Sequence, residues 1–266
     1  MNAPIRIFSY IIVTATMCTL SLPSSAQGGD AYPVNGKQML LSPDRKQNDE
    51  AFRRGVSLYR KRAFGAALME LESLYPRMKE EAQQDLAEYY ILASKAALNG
   101  DNTAAYIEEY LNRTTNDKYR NMARLLLGEE MMKSGRLAEA DSLFGLVQEK
   151  RLPKGLISNF KYNKAYLLLT EGQLEEAKEG FRYVYAQNDE HHTDAGYYLA
   201  YIAYLQQDYD RALKGFETVV EENGEAYPKA GVYIAQIHFV QQDYPYILDQ
   251  RSDLERLDID EATTQE

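Results

Sequence analysis

The chain has 266 residues, of which 45% are apolar and 26% are charged. This composition is typical of a folded globular protein and excludes an intrinsically disordered one. Thirty basic residues against 40 acidic ones give a formal net charge of −10. Such a balance argues against a general nucleic-acid binder, because those proteins carry a basic surface.

The first 26 residues have the layout of a secretory signal peptide. The positive charge of Arg6 precedes an apolar run from Ile7 to Leu22, and small residues lie one and three positions before a cleavage point after Ala26. This run is shorter than the ~20 residues that a membrane-spanning helix needs, which favours cleavage over an uncleaved anchor. Cleavage removes Cys18, the one cysteine. We therefore expect an exported protein without a thiolate site and without an integral membrane span.

After a polar linker at 27–47, residues 48–257 repeat with a period near 35 residues. A first column of small residues is followed twelve positions later by a second column of alanines. The first column is Gly55, Ala93, Gly128, Ala165, Ala200 and Ala235; the second is Ala67, Ala105, Ala140, Ala177 and Ala212, and it breaks at Ile247. Segments 198–209 and 233–244, YLAYIAYLQQDY and YIAQIHFVQQDY, share seven of twelve residues. Tandem repetition of one structural unit is therefore predicted.

Each unit is predicted to form two helices joined by a tight turn. Apolar residues recur at helical spacing, and small residues at a helix crossing let two axes approach to about 8 Å. The turns are placed at Gly100, Gly135, Gly172, Gln207 and Gln242. Because one helix pair cannot bury its apolar face alone, the units should stack into a solenoid, with Phe144, Phe181 and Phe216 filling the gaps between neighbours.

This pattern resembles the tetratricopeptide repeat (TPR) family, in which an aromatic residue follows the second-helix alanine by four positions. Units three to five match best, through Ala140 and Phe144, Ala177 and Phe181, and Ala212 and Phe216. Unit two departs from the pattern, with Glu109 at the aromatic position, and unit six departs at Ile247.

The resemblance implies an all-α TPR solenoid, a right-handed superhelix of about six antiparallel helix pairs. The units are placed near 48–80, 81–115, 116–153, 154–190, 191–224 and 225–257, followed by an acidic tail at 258–266. Together with the signal peptide, the tyrosine-rich first helices are similar to those of exported multi-repeat TPR proteins of Gram-negative envelopes. The expected location is the periplasm or the outer-membrane periphery.

No catalytic motif is present. The sequence has no phosphate-binding loop, no dinucleotide-binding glycine pattern and no nucleophile elbow. His191 and His192 are adjacent, so their rings should point about 100° apart on a helix, which disfavours a metal site. Carboxylate pairs such as Glu129 and Glu130 are typical of solvated helix faces. We expect no enzyme, no cofactor and no metal.

In a TPR stack the first helices line a concave groove, so their inward positions are the candidate ligand contacts. Counting from the first column, these positions are predicted to be Tyr59, Tyr90, Glu129, Tyr162, Tyr166, Tyr197, Tyr201, Tyr204 and Gln236. Tyrosine offers a large rigid surface with one hydroxyl and is common at binding hot spots. The alternative is that each ring only fills a gap between repeats.

The sequence thus predicts a non-catalytic protein-interaction scaffold of the cell envelope that binds a protein or peptide segment in a tyrosine-rich groove. The expected partner is an envelope protein, with an apolar segment and basic flanks that suit the acidic chain. Two alternatives stay open: an accessory subunit of an outer-membrane assembly or glycan-uptake complex, and a glycan-binding module.

Overall fold

A computed structural model describes residues 43–223 and 227–249. The predicted signal peptide (1–26), most of the predicted linker (27–42) and the predicted acidic tail (258–266) lie outside the described residues. Within the described ranges the chain forms helices and no strand. The α-helices are α1 (Pro43–Arg60), α2 (Phe64–Leu74), α3 (Glu81–Ala97), α4 (Thr103–Arg113), α5 (Asp117–Lys133), α6 (Leu137–Gly145), α7 (Lys154–Thr170), α8 (Leu174–Gln187), α9 (His192–Leu205), α10 (Tyr209–Asn223), α11 (Pro228–Val240) and α12 (Tyr244–Asp249).

The twelve helices form six consecutive pairs. Each odd-numbered helix packs on the even-numbered helix that follows it, and the pairs stack through contacts such as α2 with α3, α8 with α9 and α10 with α11. The predicted all-α solenoid of six helix pairs is confirmed. Helix α1 begins at Pro43, so residues 43–47, which the sequence assigned to the linker, belong to the first helix. None of the helices in the described ranges is long and apolar enough to cross a membrane.

The turn inside each pair follows one geometry. In units one, three, four, five and six the first helix ends five residues after the first-column residue. The residue seven after it has a positive φ, and these residues are Arg62, Gly135, Gly172, Gln207 and Gln242. The next backbone N–H donates back across the turn to the carbonyl five residues earlier, as from Arg136 to Met131 at 2.8 Å. This is the Schellman closure of a helix C-terminus, and it fixes the tight reversal between the two helices.

Close approach of the paired helices depends on a missing side chain at their crossing. A Cβ on Gly55 would lie 2.6 Å from a Leu71 carbon, and one on Gly128 would lie 2.2 Å from a Phe144 carbon. In units four and five the glycine lies on the second helix instead: a Cβ on Gly180 or Gly215 would lie 2.7 Å from the Cβ of Ala165 or Ala200, respectively. Four of the six crossings therefore require a glycine on one helix or the other.

Unit two corrects the predicted register. Helix α3 ends at Ala97 and the positive φ is at Asn99, so both features follow Leu92, not Ala93, by the usual five and seven residues. The buried residues of α4 are Thr103, Ile107 and Tyr110, whereas Ala105 and Glu109 are exposed. The second-column member of this unit is therefore Thr103 and not Ala105. Ile107 occupies the aromatic position that was assigned to Glu109.

Second-helix phenylalanines connect successive units, as predicted. Phe144, Phe181 and Phe216 are fully buried. Phe181 stacks on Tyr198 at 5.0 Å between ring centroids, and Phe216 stacks on Tyr233 at 5.1 Å. In each case a ring from one unit lies flat against a ring at the same position of the next first helix, which fixes the offset between neighbours.

Candidate functional site

The first helices lie on the inner side of the solenoid. Helix α3 contacts both α1 and α5, so the first helices of units one to three touch along one side. From the turn of unit one, the Arg62 guanidinium forms an ion pair with Glu190 in the loop between units four and five. A contact over that sequence separation requires the first-helix side to curve towards itself. We call the surface formed by the inward residues of these helices the inner face.

Three of the predicted groove residues come from the first three units and lie close together. The rings of Tyr59 and Tyr90 meet edge to face with 5.1 Å between centroids. Burial raises the pKa of Tyr59, and the nearby carboxylates of Glu129 and Glu190 raise it further. Tyr90 itself is buried, so its ring mainly packs units one and two together.

Glu129 has an unusual setting for a carboxylate on a repeat helix. Its Oε1 accepts a hydrogen bond of 2.6 Å from Nδ2 of Asn159 on α7, and Asn163 donates in turn to Asn159 at 3.1 Å. Burial raises the pKa of Glu129 to about 7, although Lys133, His191 and the Asn159 hydrogen bond favour the charged form. Glu129 is therefore only partly solvated, because Asn159 of α7 bonds to its carboxylate.

Tyr162 and His191 border the same region. Their rings stack with 4.4 Å between centroids and 9° between planes. Burial lowers the pKa of His191, but the hydrogen bond and charge of Asp194 and the charge of Glu190 outweigh this, so the net shift is upwards. His192 turns away and stacks on Tyr185 at 4.1 Å, which is the divergence expected for adjacent histidines.

A second group of predicted residues surrounds Tyr233 in the last two units. Tyr201 and Tyr204 lie 5.4 and 5.0 Å from Tyr233 between ring centroids. The Tyr204 hydroxyl donates to Oε1 of Gln236 at 3.1 Å, so the structure joins two predicted residues from different units. Tyr197 stacks on Tyr227 at 5.4 Å.

The structure thus arranges the predicted residues in two clusters on the inner face. The acidic cluster contains Tyr59, Tyr90, Glu129, Tyr162 and the unpredicted His191; the aromatic cluster contains Tyr166, Tyr197, Tyr201, Tyr204, Gln236 and the unpredicted Tyr198, Tyr227 and Tyr233. Every predicted residue except Tyr90 is partly exposed. That these residues contact a ligand stays a prediction. The missed Tyr198 and Tyr233 had a signal in the sequence, since they open the two closely matching segments.

Another depression lies in unit two. A cleft of about 400 Å³ is lined by α2, α3 and α4, with Ile91 and Leu92 among its apolar lining and Tyr106 at the side. Two ion pairs line it: Lys95 pairs with Glu72 at 2.9 Å, and Arg113 pairs with Glu88. This cleft reflects the looser packing of α3 on α4 in that unit.

Comparison with solved structures identifies the fold. PilF from Pseudomonas aeruginosa superposes with a TM-score of 0.61, covering 84% of this chain and 97% of PilF at 14% identity. The chain has the tetratricopeptide-repeat fold. A TPR protein from Cytophaga hutchinsonii (16% identity, 72% of each chain, TM-score 0.49) and one from Thermus thermophilus (16% identity, 70% of this chain and 98% of the other, TM-score 0.46) are less similar. No protein-family model and no curated protein sequence matches the chain.

Proposed function

We propose that this TPR solenoid is a non-catalytic scaffold that binds a protein or peptide segment along its inner face. The observation that carries the proposal is the pair of clusters just described, in which partly exposed tyrosines from four of the six units share one curved surface. Rigid rings that already pack on one another lose little side-chain entropy on binding, and their hydroxyls can bond to peptide carbonyls.

The ring geometry favours a peptide over a sugar as the ligand. Tyr198 and Tyr233 present a face to Phe181 and Phe216, respectively, so these faces already pack within the protein. A glycan-binding site needs open aromatic faces on which a sugar ring can stack, whereas a peptide uses edges, hydroxyls and gaps between rings. The glycan-binding module is therefore the less favoured alternative.

We place the scaffold in the cell envelope, on the periplasmic side or at the periphery of the outer membrane. The support is the signal-peptide layout of residues 1–26 and the cysteine-free sequence after it. Cell fractionation and N-terminal sequencing of the native protein test this directly, with Gln27 expected as the first residue. A protein recovered from the cytoplasm with Met1 intact would contradict it.

Binding is tested by capture from an envelope extract with the full chain and with a variant carrying Tyr166→Glu and Tyr201→Glu. The matched control carries Tyr106→Glu and Tyr244→Glu, because these tyrosines lie exposed on second helices. Circular dichroism must first show that all three proteins keep the same helical content. We expect one protein to be retained by the wild type and the control and lost by the inner-face variant.

Two other outcomes have distinct meanings. Equal retention by all three proteins would move the contact to the outer surface and contradict an inner-face site. If the retained protein is an outer-membrane barrel held in a stable complex, the scaffold is an accessory subunit of an assembly or uptake complex rather than a receptor for free peptides.

A further inference from the structure

Unit six leaves open a surface that unit five uses to stack on the unit after it. In unit five, Tyr204 meets Tyr209 edge to face with 6.0 Å between ring centroids, and Tyr233 of unit six lies 5.0 Å from Tyr204. Phe239 and Tyr244 hold the same positions in unit six and repeat the edge-to-face contact at 5.9 Å. Within the described ranges no further helix follows, and Phe239 is 61% exposed.

Leu248 extends this surface along α12. It is 71% exposed, whereas the equivalent residue of unit five, Leu213, is half-buried against an apolar cluster that unit six completes through Ile234 and Ile237. Leu248 follows Tyr244 by one helical turn, so both lie on the same face of α12. Single exposed apolar side chains are common, but a contiguous patch marks an interaction surface. We call Phe239, Tyr244 and Leu248 the C-terminal stacking surface.

Unit one carries an exposed arginine at the position that receives a preceding unit. In later units the residue two positions before the first-column residue receives an aromatic ring of the unit before it, as Tyr233 receives Phe216. In unit one this residue is Arg53, which is exposed and forms no ion pair with the described residues. Since Tyr233 also contacts Tyr204, the arginine of a following unit one would lie against Phe239. A guanidinium stacks favourably on an aromatic face.

The two ends of the solenoid also carry opposite charge. Residues 43–80 contain nine lysines and arginines against six acidic residues, whereas residues 191–249 contain three against nine. Two copies placed end to end would bring the basic end of one to the acidic end of the other, which favours encounter and fixes the direction of stacking. A symmetric contact between two C-terminal ends would bring acidic surfaces together.

We propose that unit one of a second copy of this chain stacks on the C-terminal stacking surface, with Arg53 of one copy against Phe239 of the other. The second copy then takes the place of a seventh unit and continues the solenoid. The two contacting surfaces differ, so the contact is heterologous, and each added copy exposes a new end on which another can stack. The proposal is independent of whether the inner face binds a peptide.

Sedimentation velocity of the full chain over a hundredfold range of protein concentration measures this association. We expect the average mass of the wild type to rise with concentration and the association to weaken at high salt. Arg53→Glu and Phe239→Ala should each weaken it at least about tenfold, through loss of the cation or of the ring. The matched control is Arg182→Glu, the same change of charge at an exposed arginine of α8, which should associate like the wild type.

A mixture of the two variants tests the direction of the contact. The Arg53→Glu chain keeps an intact C-terminal surface, and the Phe239→Ala chain keeps an intact N-terminal one, so an equimolar mixture should form dimers and no longer species. Wild-type association of Arg53→Glu by itself would indicate a symmetric contact between C-terminal ends and overturn the proposal. A wild type that stays monomeric at every concentration would also overturn it, since residues 250–266 or a different protein would then cover this surface.

Discussion

The two helices of a unit pack closely in units four and five and less closely in unit two. In units four and five a second-helix glycine, Gly180 or Gly215, lies directly against the alanine of the first helix. At the equivalent position unit two has Tyr106, which is 48% exposed and borders the cleft. Helix α4 packs more extensively against α5 than against its own partner α3, whereas α8 and α10 pack mainly on their own partners.

The difference follows from the residues at the crossing, where unit two has Leu92 and Tyr106 in place of an alanine and a glycine. A glycine at the crossing lets two helix axes approach, and a larger residue holds them apart. Helix α4 begins only at its second-column residue, Thr103, so the loop before it spans residues 98–102, two more than the three-residue turns of the other units. The following predictions test this comparison, beginning with the largest expected effect.

Truncating the residue at the aromatic position should reduce stability more in unit four than in unit two. Phe181→Ala removes a fully buried ring stacked on Tyr198 and should lower the free energy of unfolding by about 4 kcal/mol. Ile107→Ala, at the equivalent position of unit two, should cost about 2 kcal/mol, because it removes a smaller buried side chain from a helix pair that packs less closely. Urea denaturation measures both, and Phe239→Ala, at an exposed ring, serves as the control. Equal costs for the two buried sites would contradict the comparison.

The corrected register of unit two can be tested with one type of substitution at two positions. Thr103→Glu places a carboxylate where the side chain is 2% exposed, so we expect a loss of about 3 kcal/mol. Ala105→Glu changes an exposed position and should stay within about 0.5 kcal/mol of the wild type. Thermal unfolding followed by circular dichroism distinguishes the two. The reverse order would restore the register read from the sequence.

A glycine-to-alanine substitution should have opposite effects on stability at two helical sites. Gly180→Ala forces a Cβ to 2.7 Å from that of Ala165 and should destabilise the protein by about 2 kcal/mol. Gly155→Ala on α7 adds a methyl group into open space, so it should stabilise by up to about 1 kcal/mol through helix propensity. The midpoints of urea unfolding, compared with that of the wild type, measure both changes in stability. A neutral Gly180→Ala would show that the crossing tolerates wider separation.

The smallest expected effect is a pH dependence of stability that Glu129 causes in the acidic cluster and that the aromatic cluster lacks. The pKa of Glu129 rises from the ordinary 4.5 to about 7 on folding, so the folded state holds a proton that the unfolded state has lost between these values. The wild type should therefore lose stability as pH rises from about 5 to 8, and Glu129→Gln should be more stable than the wild type by about 1 kcal/mol at pH 8. At pH 5 the two should match. Gln236→Glu in the aromatic cluster, where no carboxylate is buried, is the contrasting variant.

The repeat pattern in the sequence predicted most of the fold and part of the candidate site. Small columns, turn positions and the phenylalanines followed from spacing, because each records a contact inside a unit or with the next one. The register of unit two was wrong because Ala93 and Ala105 match the period, whereas burial selects Leu92 and Thr103, which lie eleven and not twelve residues apart. The partial burial of Glu129 was also missed, since it depends on Asn159 of the next unit and not on the repeat that contains Glu129.

The ion pair between Arg62 and Glu190 changes how this solenoid comes apart. A stack in which every unit touches only its neighbours can unravel from either end, one unit at a time. Here the turn of unit one also contacts a position 128 residues further along, so separation of that unit requires release of a contact with the loop between α8 and α9. An exposed pair of this kind contributes only about 1 kcal/mol or less, and salt weakens it. Raising the ionic strength should therefore make the N-terminal end of the solenoid open more readily.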